Sequence, residues 1–356
     1  MKRIALDRYV YEDIYPAFKA ATDEKEKTAR INQAFLNYLA RKSLVLTGNE
    51  PVLTADIGSG PCDTLIKYLT GVIFAAGFDV RATDYIPEYA DPELGIALRN
   101  LAAARADGTL RLAGFSVKLG NAFGGNLLDL LSCSNDRVKP ANAFRLVFAS
   151  HLVYHAERTA DVERLIFDVG ANLLANDGLA ILYHLANTPG TFQEFRARFG
   201  SQSGRPSNSD TGAVTIDDPP AQITSACGEL RLPLFELQFV TDLRFGPLSD
   251  NEWQSFEAPL TYDHVAERNP GAYEDLKRLY FVVQRAPLEF ASDHSANGLS
   301  AFIKQIRPVI EKNRGVLPLA ERMQVFNRAD ASQNLTAAIP DALAAARLSG
   351  SAPLTG

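Results

Sequence analysis

The sequence predicts an α/β fold: a seven-stranded, mostly parallel sheet with helices on both faces, bracketed by an amino-terminal helical cap and a carboxyl-terminal extension. Three observations carry this expectation. From residue 52 onward, short β-branched or apolar runs alternate with helical segments, the pattern of a parallel sheet covered on both faces. One of those runs passes directly into a glycine turn and then a helical segment. Before residue 45, apolar residues recur at helical spacing instead.

Residues 1–45 form the predicted helical cap, with Ile14, Phe18, Ile31, Phe35, Tyr38 and Leu39 on its apolar faces. The predicted strands are Val52–Ile57, Asp79–Thr83, Arg111–Leu119, Phe144–Ser150 and Leu179–Leu185. Helical patterns cover Asp63–Ala76, Ile96–Ala106 and Asp161–Leu174, the last closed by the turn signal Asn176-Asp177-Gly178. Residues 200–222 read as a polar surface loop. Two further extended runs, Phe235–Phe245 and Leu279–Arg285, complete seven strands if they pair antiparallel. The main domain is therefore expected over 46–286, with a substrate insertion at about 246–278. It is followed by a helical extension (287–330, with a helix at Gly298–Asn313) and a weakly structured, Ala- and Ser-rich tail (331–356). The extension admits three roles: capping the site, forming a homodimer, or packing on the sheet.

Of the 356 residues, 46% are hydrophobic, enough for a substantial core. The formal net charge of −6 gives no basic excess to displace counterions, so nucleic acid is not the expected partner. A small neutral or cationic molecule suits this balance. Cys62, Cys133 and Cys227 fall in no disulfide or metal-ligand spacing, so no metal is expected. Charges interrupt Met1–Asp13, leaving no export signal, and no run approaches the ~18–20 apolar residues that span a bilayer. The expectation is a cytoplasmic protein without a membrane association.

Four segments carry candidate chemistry. The first is Asp56-Ile57-Gly58-Ser59-Gly60, where a strand enters a glycine turn that lets a ligand approach the backbone closely. A dinucleotide fingerprint requires a third glycine where Asp63 stands. An acid there opposes a pyrophosphate, and the missing glycine favours S-adenosylmethionine, which has no phosphate but a carboxylate, an amino group and a sulfonium. The second is Asp84, 24 residues after Gly60 and followed by Tyr85, an acid at a strand end placed to accept ribose hydroxyls, or taken alone equally a helix cap or turn residue. The third is Asn121-Ala122-Phe123, an amide for the adenine edge and a ring to stack on it, or equally a loop amide beside a core ring. The fourth is Ser150-His151-Leu152-Val153-Tyr154-His155, a polar and aromatic rim at the end of the fourth strand.

In this order the segments resemble the class I S-adenosylmethionine-dependent methyltransferases, over roughly residues 30–286. The resemblance implies a Rossmann-like domain whose cofactor contacts are Asp56, Gly58, Ser59, Gly60, Asp84, Tyr85, Asn121, Ala122, Phe123 and Ser150. A further glycine common in that family's first motif is Cys62 here. Within the class, the layout is most similar to the histamine N-methyltransferase type, through Tyr15-Pro16-Ala17-Phe18 and the stretch Gly190–Gly200. That type places a substrate-contacting amide where this chain has His151.

The expected chemistry is in-line methyl transfer to a small molecule, with nitrogen the first choice of acceptor and oxygen or carbon the alternatives. Orientation of bound reactants supplies ~7 kcal/mol or more, and a general base ~10²–10⁴-fold. His151 and Tyr154 are the candidate catalytic residues, His151 as base or orienter because an ordinary imidazole titrates at ~6.5. Tyr11, Tyr15, His151, His155 and Trp253 are the candidate substrate contacts, with Tyr9, Phe256 and Tyr262 near them. Two competing classes are a non-catalytic S-adenosylmethionine sensor and a nicotinamide-dependent oxidoreductase, the latter disfavoured by Asp63.

Overall fold

A computed structural model of the chain describes residues 18–74, 76–91, 95–133, 136, 139–153, 156, 158–186, 219–246 and 307–351. Its strands are β1 (Val52–Ile57), β2 (Phe78–Asp84), β3 (Leu112–Leu119), β4 (Phe144–Ser150), β5 (Leu174–Leu185), β6 (Leu234–Arg244) and β7 (Val316–Phe326). They form one sheet in the order β3-β2-β1-β4-β5-β7-β6. β1 pairs parallel with β2 and β4, β2 with β3, and β4 with β5, whereas β5 pairs antiparallel with β7 from Ala180↔Phe326 to Leu185↔Glu321. The fold is thus the expected mostly parallel seven-stranded α/β sheet. Strand order reverses between β1 and β4, the switch point outside whose carboxyl ends ligands bind in open α/β sheets.

The helices are α1 (Glu24–Arg41), α2 (Asp63–Leu69), α3 (Pro87–Ala90), α4 (Ile96–Ala106), α5 (Leu127–Leu131), α6 (Thr159–Phe167), α7 (Pro219–Glu229) and α8 (Gln333–Ser351). Period-2 alternation splits the strands between two cores. Leu146, Phe148, Ile181 and Tyr183 join Ile31, Phe35, Leu36 and Leu39 of α1 and Leu335, Ile339 and Leu343 of α8 in one cluster. Val147, Ala149, Ala180 and Leu182 join Val162, Leu165 and Ile166 of α6 and Ile223 and Ala226 of α7 in the other. Burial of a side chain such as Phe35, with no exposed surface, contributes about 1.5–3 kcal/mol.

The chain divides into two compact units, each non-contiguous in sequence. The larger takes residues 25–186, 211–239 and 321–356, and so holds α1 from Lys25 and the carboxyl-terminal helix as well as most of the sheet. In the smaller (1–24, 187–210 and 240–320), Thr22 bridges Leu243 and the Asp242 N–H donates to Asp23 Oδ1 at 2.7 Å. Among the described residues no helix is long and apolar enough to cross a membrane.

Four elements depart from expectation. The seventh strand is Val316–Phe326, inside the stretch expected to be helical, while Leu279–Arg285 lies outside the described residues. Glu321, Arg322 and Gln324 disguise this strand, because their partners lie far away in sequence: Gln324 Nε2 donates to Glu236 Oε1 at 2.6 Å and Arg322 pairs with Glu236 at 3.5 Å. The tail is not weakly structured over 333–351. It forms α8, whose Leu335, Ile339, Ala342, Leu343 and Ala346 make one buried stripe despite Pro340. α2 stops at Leu69, well short of Ala76, because Gly71 at φ +81° turns the chain out of the helix. Finally, the turn signal at 176–178 falls within β5, where the register slips between Phe144↔Leu174 and Leu146↔Leu179.

Candidate active site

The glycine turn leaves β1 at Ile57 and enters α2 at Asp63. The N–H groups of Gly58 and Ser59 both donate to the Thr83 carbonyl, at 2.8 and 3.1 Å, which fastens the turn to β2. Cys62 N–H closes it on the Ser59 carbonyl at 3.0 Å, and Asn100 of α4 donates to the Pro61 carbonyl at 2.8 Å. Left-handed residues recur at Gly58 (φ +70°), Gly60 (φ +51°) and Cys62 (φ +57°). The cysteine therefore stands at a position whose backbone favours glycine, at a cost of ~1–2 kcal/mol.

The two glycines serve different ends. A Cβ at Gly58 would lie 2.7 Å from Leu152 Cδ1, so this residue lets the turn pack on the segment that follows β4. A Cβ at Gly60 meets nothing within 4 Å, so this glycine opens a space beside the backbone for an approaching group.

Asp84 ends β2 with its carboxylate committed on both oxygens. Oδ2 accepts the Gly60 N–H at 2.7 Å and Oδ1 accepts the Ile86 N–H at 2.8 Å. A carboxylate offers about four lone-pair positions, so capacity remains for hydroxyls. Asp56 is buried at the end of β1, and burial together with the charge of Asp84 pushes its carboxyl from 3.8 up to about 7. Asp63 adds to the effect and Lys25 opposes it. Asp63, Asp84 and, once ionised, Asp56 thus impose a negative potential on the turn, which attracts a cation and repels a diphosphate. This donor set fits the ammonium, sulfonium and ribose of S-adenosylmethionine.

Tyr85 follows Asp84 and is 55% exposed. Asn121 is exposed, and its Oδ1 accepts the Phe123 N–H at 2.9 Å, making a local turn. Ala122 is buried, and the partly buried Phe123 packs on the core cluster of Leu127 and Val153. Ser150 Oγ lies 3.3 Å from the Tyr68 hydroxyl, whose ring contacts Phe148 and Tyr183 at 5.7 and 5.2 Å between centroids.

His151 is half-buried just past β4, at φ +55°, and its N–H donates to the Tyr183 carbonyl at 2.8 Å. A left-handed histidine costs about 1–2 kcal/mol, and such strain is characteristic of ligand-facing positions. The structure thus brings Asp56, Gly58, Ser59, Gly60, Asp84, Ser150 and His151 to the carboxyl edge of β1, β2 and β4. Tyr11, Tyr15, Tyr154, His155 and Trp253 lie outside the described residues, as do the segments around Tyr15 and Gly190 that carry the similarity to histamine N-methyltransferases. The sequence reading did not single out Glu321. Glu321 of β7 is 1% exposed and brings a carboxylate oxygen within 4.8 Å of an imidazole nitrogen of His151. Standing in one run with Arg322 and Gln324, it carried no local signal of a role.

No family model matches the chain, and a search of curated proteins returned no match. Among solved structures the chain is similar to a candidate sarcosine dimethylglycine methyltransferase of Galdieria sulphuraria, at 12% identity and a TM-score of 0.41, covering 84% of this chain and 86% of that one. It is also similar to phosphoethanolamine N-methyltransferase 2 of Haemonchus contortus, at 12% identity and TM-score 0.39, over 82% of this chain and 52% of that one. A third similar structure is geranyl diphosphate C-methyltransferase of Streptomyces coelicolor A3(2), at 12% identity and TM-score 0.36, over 79% of this chain and 76% of that one.

Proposed function

We propose that the carboxyl edge of β1, β2 and β4 binds S-adenosylmethionine, and that the protein transfers its methyl group to a nitrogen of a small molecule in the cytoplasm. The observation that carries this reading is the acidic glycine turn, in which Asp56, Asp63 and Asp84 surround a backbone opened at Gly60. A cationic nucleoside is stabilised there and a diphosphate is not. When bound, S-adenosylmethionine supplies an electrophilic methyl group on a positively charged sulfur.

The chain's own residues then have separable tasks. Asp84 holds the turn through Gly60 and offers its remaining lone pairs to the ribose. Asp56 balances the ligand's positive charge. Asn121, Ala122 and Phe123 bound the adenine end, and Ser150 marks the β4 side of the cleft. His151, beyond β4, orients the acceptor and takes its proton. Alignment is the larger contribution, since a fixed geometry supplies ~7 kcal/mol or more against ~10²–10⁴-fold for a base.

Titration calorimetry with S-adenosylmethionine and S-adenosylhomocysteine tests the reading. Binding of both, weakened at least tenfold by Asp84→Asn, supports it. A protein that binds neither overturns it. Binding without turnover across amine, hydroxyl and carbon acceptors moves the protein to the sensor class.

A further inference from the structure

We infer that Glu321 is the positioning residue of His151: its buried carboxylate, carried by the antiparallel strand β7, fixes the tautomer and orientation of the imidazole. This rests on the methyl-transfer reading for its purpose, though not for its geometry. Glu321 faces Leu185 across the β5–β7 ladder, and His151 is tied by its N–H to Tyr183, two residues earlier on β5. Both side chains are therefore placed from the same rigid strand end. The carboxylate and imidazole come within 4.8 Å, a span that one bridging water closes. Glu321 is 1% exposed, so its charge is little screened by solvent. Neighbouring His184 does not compete for the carboxylate as a cation, because burial and the nearby His151 hold its imidazole well below the ordinary range.

The chemical consequence is directional. A ring whose one N–H faces a carboxylate presents the bare lone pair of its other nitrogen to the cleft. As the acceptor's lone pair forms its bond to the methyl carbon, the electron pair of the S–CH₃ bond stays on sulfur, which becomes a neutral thioether. The acceptor's proton passes to that imidazole nitrogen, and the resulting imidazolium returns it to solvent. A histidine free to exchange tautomers presents an N–H in part of the population and cannot accept the proton there.

The test needs no methyl acceptor. The chain has five histidines, so ¹⁵N-histidine labelling resolves each ring, with His151→Gln assigning the signal of interest. In wild type at a pH where the ring is neutral, His151 is expected in one tautomer, at tenfold excess or more. Glu321→Leu should bring the two tautomers to comparable populations, and Glu321→Gln, whose amide oxygen still accepts an N–H, should restore the bias. An unchanged ratio in Glu321→Leu overturns the inference. Should that variant not fold, a mixed population in wild type overturns it and a single tautomer supports it. S-adenosylhomocysteine binding is measured on the same samples. If wild type fails to bind while the tautomer responds to Glu321, the methyl-transfer reading falls and the pairing stands. If wild type and Glu321→Leu bind alike and the tautomer is unmoved, the reverse holds.

Discussion

The Asp84 carboxylate accepts the backbone N–H of Gly60 at 2.7 Å, joining the end of β2 to the centre of the glycine turn 24 residues earlier. The residue expected to hold a ribose is therefore also a brace for the turn. Replacing it by alanine leaves the N–H groups of Gly60 and Ile86 without their acceptor in a site that is largely buried. Each loss costs about 1–3 kcal/mol. Urea denaturation should show Asp84→Ala less stable by roughly 2–4 kcal/mol, and Asp84→Asn by about half that, because its amide oxygen keeps one bond. Equal midpoints for all three proteins would remove the bracing role.

The two turn glycines should separate stability from binding. Gly58→Ala places a methyl 2.7 Å from Leu152 Cδ1 and should destabilise by about 1–3 kcal/mol. Gly60→Ala meets no atom within 4 Å and should lose only ~1 kcal/mol, from its left-handed backbone. Calorimetry should nevertheless find S-adenosylhomocysteine binding weakened at least tenfold in Gly60→Ala. Should that variant bind like wild type, the ligand does not lie against Gly60.

Asp56 makes stability depend on pH in a definite direction. Its carboxyl is raised from 3.8 to about 7 on folding, so between those values the native state holds a proton that the unfolded state has lost. Its stabilising contribution is complete below pH ~4 and declines as pH rises through ~7, with an upper limit of ~4 kcal/mol for a shift of about three units. Asp56→Asn should therefore be more stable than wild type at pH 8 and nearly equal to it at pH 4, by denaturant titration. A cationic ligand should also displace the proton. Calorimetry near pH 7, in buffers of different ionisation enthalpy, should then register proton release on binding to wild type and none on binding to Asp56→Asn.

Thiol labelling of the folded protein should discriminate among the three cysteines. Burial pushes Cys62 well above its ordinary range and Cys227 up to about 12, with Glu236 adding to the latter, whereas Cys133 is only half-buried. Iodoacetamide, followed by peptide mass spectrometry at pH 8, should modify Cys133 at least a hundredfold faster than the other two. Comparable rates would show that the turn around Cys62 opens to solvent.

Where local pattern and tertiary environment agree, the sequence was enough. β1 and β4 run as expected from Val52 to Ile57 and from Phe144 to Ser150, because strands buried on both faces leave mostly apolar runs with few polar breaks. The glycine turn and Asp84 were legible for a similar reason, since a sharp strand-to-helix turn constrains residue type locally. β7 was not, because Glu321, Arg322 and Gln324 are compatible with a buried strand only through partners that local patterning does not reveal. α8 was obscured by alanines, whose small apolar surface gives weak contrast between helix faces until the helix is seen against Ile31 and Phe35. The bond between Asp84 and Gly60 was hidden in another way: position suggested a ribose contact or a turn residue, and only geometry shows which backbone N–H it holds.

The insertion of β7 between β5 and β6 also orders events during synthesis. The ribosome adds ~5–20 residues per second, so β5 emerges on the order of ten seconds before the strand that covers its edge. Throughout that interval the apolar run Ala180–Tyr183 is a strand edge without its native neighbour, the kind of template on which nascent chains join one another. A chain released before residue 316 would carry that edge permanently. The yield of native protein therefore depends on keeping nascent copies apart until Val316–Phe326 has been made.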